Sequence, residues 1–166
     1  MRIEITKGER ADRIRVNRAD GTVLDYAMPK KGPVPHDAVH YFVERALGLA
    51  DAFWGMIARG LHPDAIAELA KAAGHASAKR AAVPDASIVA LLQAERLVEC
   101  FEADLWGGGG DAQALIAMAQ TACNYSHVPL PGMDAVGAER IRSDLNAFAA
   151  DWIAAPGGHV AALEWN

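Results

Sequence analysis

Apolar and polar residues alternate through "RIEIT" (2–6), "DRIRVN" (12–17) and "TVLDYAM" (22–28). A period of two is that of a half-buried strand, so these segments are expected to form an antiparallel meander connected by "KGERA" and "RADG". The register of the second hairpin follows from which turn keeps the apolar positions on one face. A two-residue Asp20-Gly21 loop would set Val16 against Asp25 and Ile14 against Ala27. A three-residue Ala19-Asp20-Gly21 loop, with Gly21 left-handed in a G1 bulge, pairs Val16 with Leu24 and Ile14 with Tyr26. The second arrangement is expected. Ile3 and Ile5 would extend its apolar face, leaving Arg13, Arg15 and Asn17 towards water.

The pattern changes after "PKKGPVP", whose prolines and glycine cannot continue a ladder. Helical spacing predicts helices over about 35–48, 50–60, 63–74, 84–105, 111–124 and 134–154. Pro63 and Pro84 suit first helical turns, Asp111 and Asp134 suit N-caps, and "GGGG" (107–110) is a break. The tail alternates again at Ala161, Leu163 and Trp165, which fits a fourth strand. The expected fold is a single α+β domain spanning 1–166. A small N-terminal antiparallel β-meander (1–31) packs against five or six helices (35–154), and 159–165 can return to the sheet.

Composition narrows the class. With 166 residues, 52% of them apolar and 22% charged, the chain suits one domain with a substantial core. The absence of an apolar leader, and of any run near the ~20 apolar residues of a membrane span, makes the cytoplasm the expected location. Cys100 and Cys123 lack zinc-type spacing and read as buried reduced thiols. The net charge of −5 divides into +3 over residues 1–31 and −8 over the rest. Acids interleave with Arg13, Arg15 and Arg18, interrupting any stripe that would follow a nucleic-acid backbone, so neither a nucleic acid nor a membrane is an expected partner.

The chemistry concentrates in "PVPHDAVHYFVE" (33–44). On a helix starting near Pro35, the residues Val39, Phe42, Val43, Ala46 and Leu47 form one apolar arc. His36 and His40, four apart, lie on its flank, with Glu44 one turn later at the polar margin. Asp37 sits further out in the first turn, where the helix dipole favours a carboxylate. Two neutral imidazoles at i and i+4 can share a divalent ion such as zinc, iron or manganese, with a carboxylate completing the set. Glu44 and Glu95 are candidate metal ligands beside the two histidines. Asp37 and Glu99 are candidate bases if the ion activates water or polarises a carbonyl. Glu95, Glu99 and Glu102 form a row on the 84–105 helix, framed by Ile88, Leu92 and Trp106, and their burial is open at this level. The same histidines also fit a structural role at a helix start. "WGGGGD" lacks a P-loop's Lys-Ser/Thr, "CNYSH" has no accompanying triad motif, and His62 and His75 read as helix-end residues.

The segment "HDAVHYFVE" followed by "GLADAFWGMIARG" resembles, over about residues 1–60, a bacterial family of small proteins with an N-terminal strand meander and an HDxxHYxVE motif. The resemblance implies the fold and singles out His36, Asp37, His40, Tyr41 and Glu44, without an activity. "HDAVH" is also similar to the HDxxH zinc motif of a ubiquinone-biosynthesis family, in which a glutamate follows after eleven residues. Here that position is Ala52, with Asp51 one short.

Three functional classes follow. The first is a metal-dependent hydrolase or lyase acting on an unknown small molecule. The second is a non-enzymatic homodimer using Phe53, Trp54 and Trp106 as apolar contacts. The third is a metal-free pocket for a small organic acid, with the histidines as donors and Tyr41 or Arg45 nearby.

Overall fold

The computed structural model describes residues 1–72 and 84–166. His75 and the end of the expected 63–74 helix lie outside the described residues. Four strands, β1 (Arg2–Thr6), β2 (Ala11–Asn17), β3 (Val23–Pro29) and β4 (Val160–Glu164), form one antiparallel sheet in the order β3-β2-β1-β4. The helices are α1 (His36–Leu47), α2 (Phe53–Ala58), α3 (Pro63–Ala72), α4 (Val89–Trp106), α5 (Ala112–Tyr125) and α6 (Ala135–Ala154), with a 3₁₀ turn at Ala86–Ile88 before α4.

The hairpin register is the one that keeps the apolar stripe intact: Ile14 pairs with Tyr26 and Val16 with Leu24. Gly21 takes φ 84°, a conformation costly for residues with a Cβ. Ile3 and Ile5 pair with Val16 and Ile14 and are fully buried with them. The C-terminus supplies β4 on the free side of β1, turning Ala161 and Leu163 inward. Chain ends meet there, since the Met1 ammonium donates to Trp165 O at 2.7 Å and Trp165 N donates to Met1 O at 2.8 Å.

Asp111 and Asp134 cap α5 and α6, accepting from Gln113 N and Gly137 N. Pro63 opens α3 as expected. Pro84 does not open a helix: it precedes Asp85, whose carboxylate caps the 3₁₀ turn through Ser87 N.

The inner sheet face joins residues from α1, α4 and α6 in one core. Helix α1 runs through its middle, touching α2, α4 and α6. Neighbours on several sides change the expected one-arc burial. Glu44, expected at the polar margin, and Asp37, expected further out in the first turn, are buried, whereas Ala46 is exposed.

Much of the basic N-terminal charge is used internally. Arg13 makes a two-pronged bond to Asp25 at 2.7 Å on each arm, and Arg18 donates to Ile57 O in the last turn of α2 and to Leu61 O beyond it. Among the described residues no helix is long and apolar enough to cross a membrane.

A candidate metal centre between α1 and α4

Helices α1 and α4 pack so that increasing residue number on one meets decreasing number on the other. His36 Nδ1 lies 2.9 Å from Glu102 Oε1, while His40 Nε2 lies 3.5 Å from Glu95 Oε1. Four residues separate the histidines and seven separate the glutamates. Each spacing is close to a whole number of turns, so both pairs fall along the one helix contact.

The two imidazoles are held alike. Each has its Nδ1 on a carboxylate: His36 on Glu102, and His40 on Glu44 at 2.8 Å. An ionised carboxylate only accepts, so these bonds put a proton on each Nδ1 and turn each Nε2 to the other side. Both Nε2 atoms then face Glu95, His40 at 3.5 Å from Oε1 and His36 at 4.0 Å from Oε2. His36, His40 and Glu95 each present one ligand atom, all within 4.8 Å of one another. Ligands about 2.1 Å from a tetrahedral ion stand roughly 3.4 Å apart, so loading requires the widest pair to close by up to about 1.4 Å. Carboxylate–imidazole pairs directed at a common point are the usual outer support of a metal-bound histidine.

Glu44 is held from two sides. Its Oε1 takes His40, and its Oε2 accepts the Trp54 backbone N–H at 2.9 Å, so it orients His40 and is not one of the grouped ligands. Local sequence explains how α2 arrives there. Gly48 ends α1 at φ 65°, and the chain turns back through Leu49–Ala52. Gly55 then sits so close to that turn that a Cβ would stand 1.7 Å from Ala50 O. The Trp54 indole N–H donates to Asp37 O at 2.9 Å, closing the same corner.

Burial alone would lower the His40 pKa, but its bonds to Glu44 and Glu95 outweigh that and push it up to about 10. Burial pushes the Glu44 carboxyl up, opposed by His40 and by the backbone N–H groups of Trp54 and Phe53. Asp37 is raised by burial, opposed by the nearby histidines and by the Tyr26 hydroxyl, which donates to its Oδ2 at 2.8 Å. Asp37 thus stands beside the histidines as a carboxyl inclined to keep a proton rather than as a solvated base.

Other expected positions fall elsewhere. Glu99 is half exposed and pairs with Arg96 at 3.0 Å, away from the imidazoles, so it is not placed as a base. Asp51 is exposed and paired with Arg59, and Ala52 is buried, so neither provides the carboxylate that the HDxxH echo would need. Trp54 is fully buried and Phe53 packs against His40, which removes Trp54 as a dimer contact; Trp106 is 45% exposed. Tyr41 OH donates to Glu164 O and accepts from Arg45, tying α1 to β4. Cys100 and Cys123 are buried and unpaired, and burial pushes the Cys100 thiol up to about 11.

Glu102, Trp54 and Tyr26 complete the surroundings of the histidines and were not singled out as site residues from sequence. Only Glu102 left a signal there, its seven-residue spacing from Glu95. No family model, curated protein or solved structure matches this chain.

Proposed function

We propose that this protein binds one divalent metal ion through His36 Nε2, His40 Nε2 and a Glu95 oxygen, and uses it for hydrolysis or lyase chemistry on a small molecule. The observation that carries this reading is the double restraint: both Nδ1 atoms are on carboxylates, and both Nε2 atoms are directed at a third. Three protein ligands leave coordination positions for water or substrate, and a Lewis acid held there would lower the pKa of bound water and polarise a carbonyl. Glu102 and Glu44 keep the imidazoles oriented. Asp37, buried beside them with the Tyr26 hydroxyl on its Oδ2 and its pKa raised by burial, is the candidate acid for a leaving group.

His36 and Glu95 retain some exposure, with 13% and 31% of their side chains accessible, whereas His40 forms the floor. That gradient gives a small molecule a route to one side of the group. A His₂–carboxylate set suits zinc, and equally iron or manganese, so the metal has to be measured.

The test is elemental analysis of tag-free protein purified without chelator, beside His36→Ala and Glu95→Gln variants checked for folding. Near-stoichiometric metal in the parent and none in folded variants is expected. Parent protein that stays metal-free after incubation with zinc, iron(II) and manganese(II) salts would sink the reading. One observation favours a second account. His40 Nε2 lies 3.5 Å from Glu95 and Nδ1 2.8 Å from Glu44, which suits an imidazolium bridging two carboxylates as a structural network. The same analysis separates the two.

A further inference from the structure

The side of α4 facing α5 carries a different chemistry. Helix α5, "AQALIAMAQTACNY", has no charged residue, yet much of it faces solvent, including Met118 at 40% and Tyr125 at 73% exposure. Beside it lies a groove of about 580 Å³ lined by Arg96, Ala117, Met118, Thr121, Ala122 and Tyr125. That volume is in the range of small-molecule pockets. Among the described residues that line it, Arg96 is the one that carries charge. The side chain is four-fifths covered at 20% exposure, and Nη1 reaches Glu99 at 3.0 Å. Its Nε is buried and has no hydrogen-bond partner among the described residues. A guanidinium carries five donors in a planar fork that matches a carboxylate, and leaving donors unsatisfied away from water is costly.

We propose that this groove is a second site, separate from the His36/His40/Glu95 group, which binds a small carboxylic acid with an apolar body. The carboxylate takes the place of the half-exposed Glu99 on the Arg96 fork, whose Nε has no acceptor among the described residues, after a turn of the Arg96 side chain. The body lies along Ala117, Met118 and Ala122 and reaches the Tyr125 ring. Once the half-exposed Glu99 turns to solvent, one cation among neutral lining residues suits a monoanion better than a phosphate or a nucleotide, which call for several cationic or backbone donors. Residues 95 and 96 point about 100° apart on α4, so one helix serves two sites without sharing a side chain.

Octanoate is the probe, titrated into the full chain and followed by calorimetry and by the NMR signals of the Met118 methyl and the Tyr125 ring. Acetate and 1-octanol isolate the head and the tail. Octanoate should shift both signals, and acetate and octanol should bind at least about tenfold more weakly, as expected when a charge-assisted contact or the apolar contact is missing. Arg96→Met should weaken octanoate by a similar factor. Ala117→Glu, at an exposed position that leaves Arg96 in place, should block the groove by charge and bulk, and it keeps the test decisive if Arg96→Met does not fold. His36→Ala should bind octanoate as the parent does. The proposal is overturned if octanoate leaves Met118 and Tyr125 unshifted at millimolar concentration, if octanol binds equally well, or if His36→Ala abolishes binding, which would put the acid on the other site.

Discussion

Glu44 accepts the backbone N–H of Trp54 at 2.9 Å while its other oxygen, 2.8 Å from His40 Nδ1, holds the imidazole one turn earlier on its own helix. One buried carboxylate therefore fixes both the start of α2 and the direction in which His40 presents Nε2. Glu44→Gln keeps the shape but removes the charge, and its NH₂ must face one of two donors. We expect a loss of about 2–4 kcal/mol in metal-free protein, measured by urea denaturation with chelator present. Metal affinity should fall by about 10–100-fold, as for other outer carboxylates on ligating histidines. Unchanged stability would show that the Trp54 contact carries no weight.

The His40 pKa makes a pH prediction with a definite sign. Folding raises it from about 6.5 in an unfolded chain to about 10, against burial, because Glu44 and Glu95 favour the charged ring. Between those values the folded protein binds more protons, so its stability falls as pH rises. The contribution is fully present below about 6.5 and is lost through about 10. Metal binding runs the other way, because a ligating Nε2 must give up its proton. Affinity should therefore weaken about tenfold for each unit that pH falls between 8 and 6. Chelator competition across that range, with urea melts of metal-free protein from pH 6.5 to 10, measures both slopes. A pH-independent affinity would remove His40 from the ligand set.

The sheet was legible because its information is local. Turn chemistry at Ala19-Asp20-Gly21 and the alternation on either side fix the Val16–Leu24 pairing without reference to distant chain. The histidine pair was legible from its i, i+4 spacing. Its carboxylates were not, since the choice among Glu95, Glu99 and Glu102 depends on the direction and rotation of α4 against α1. Antiparallel packing brings Glu95 and Glu102 to the histidines and leaves Glu99 to Arg96. Periodicity on one helix supplies a single apolar arc, which puts Glu44 at its polar margin and Asp37 further out. A central helix also buries its polar side when partners such as Trp54 and Tyr26 satisfy it.

Gly55 sets how closely α2 can approach the turn that precedes it. A Cβ there would stand 1.7 Å from Ala50 O, and the obstacle is backbone rather than a movable side-chain end. Gly55→Ala is predicted to cost about 3 kcal/mol or more and to displace Trp54 N–H from Glu44. Gly157→Ala, whose Cβ would meet nothing within 4 Å, should stay within about 0.5 kcal/mol of the parent. Urea denaturation of the two variants side by side checks the contrast, and equal stabilities would contradict the close approach.

Lys7 ties the end of α6 to the sheet. Its ammonium donates to Trp152 O at 2.6 Å, Ala155 O at 2.7 Å and Ile153 O at 3.2 Å, carbonyls left without helical partners at the α6 terminus. Its backbone also bonds Gly158 N and His159 O, where the chain turns from α6 into β4. A cation at a helix C-terminus is favourable in itself, and two part-buried acceptors and one exposed acceptor lose their donor when it goes. Lys7→Met keeps the aliphatic stem and should destabilise by about 1–3 kcal/mol. Lys7→Arg, still cationic but with a planar fork in place of a tetrahedral ammonium, should recover only part of that. Because β4 depends on this corner, hydrogen exchange at Val160–Glu164 should accelerate in Lys7→Met more than exchange in β2. Uniform acceleration would mean that Lys7 contributes to global stability without holding β4 in particular.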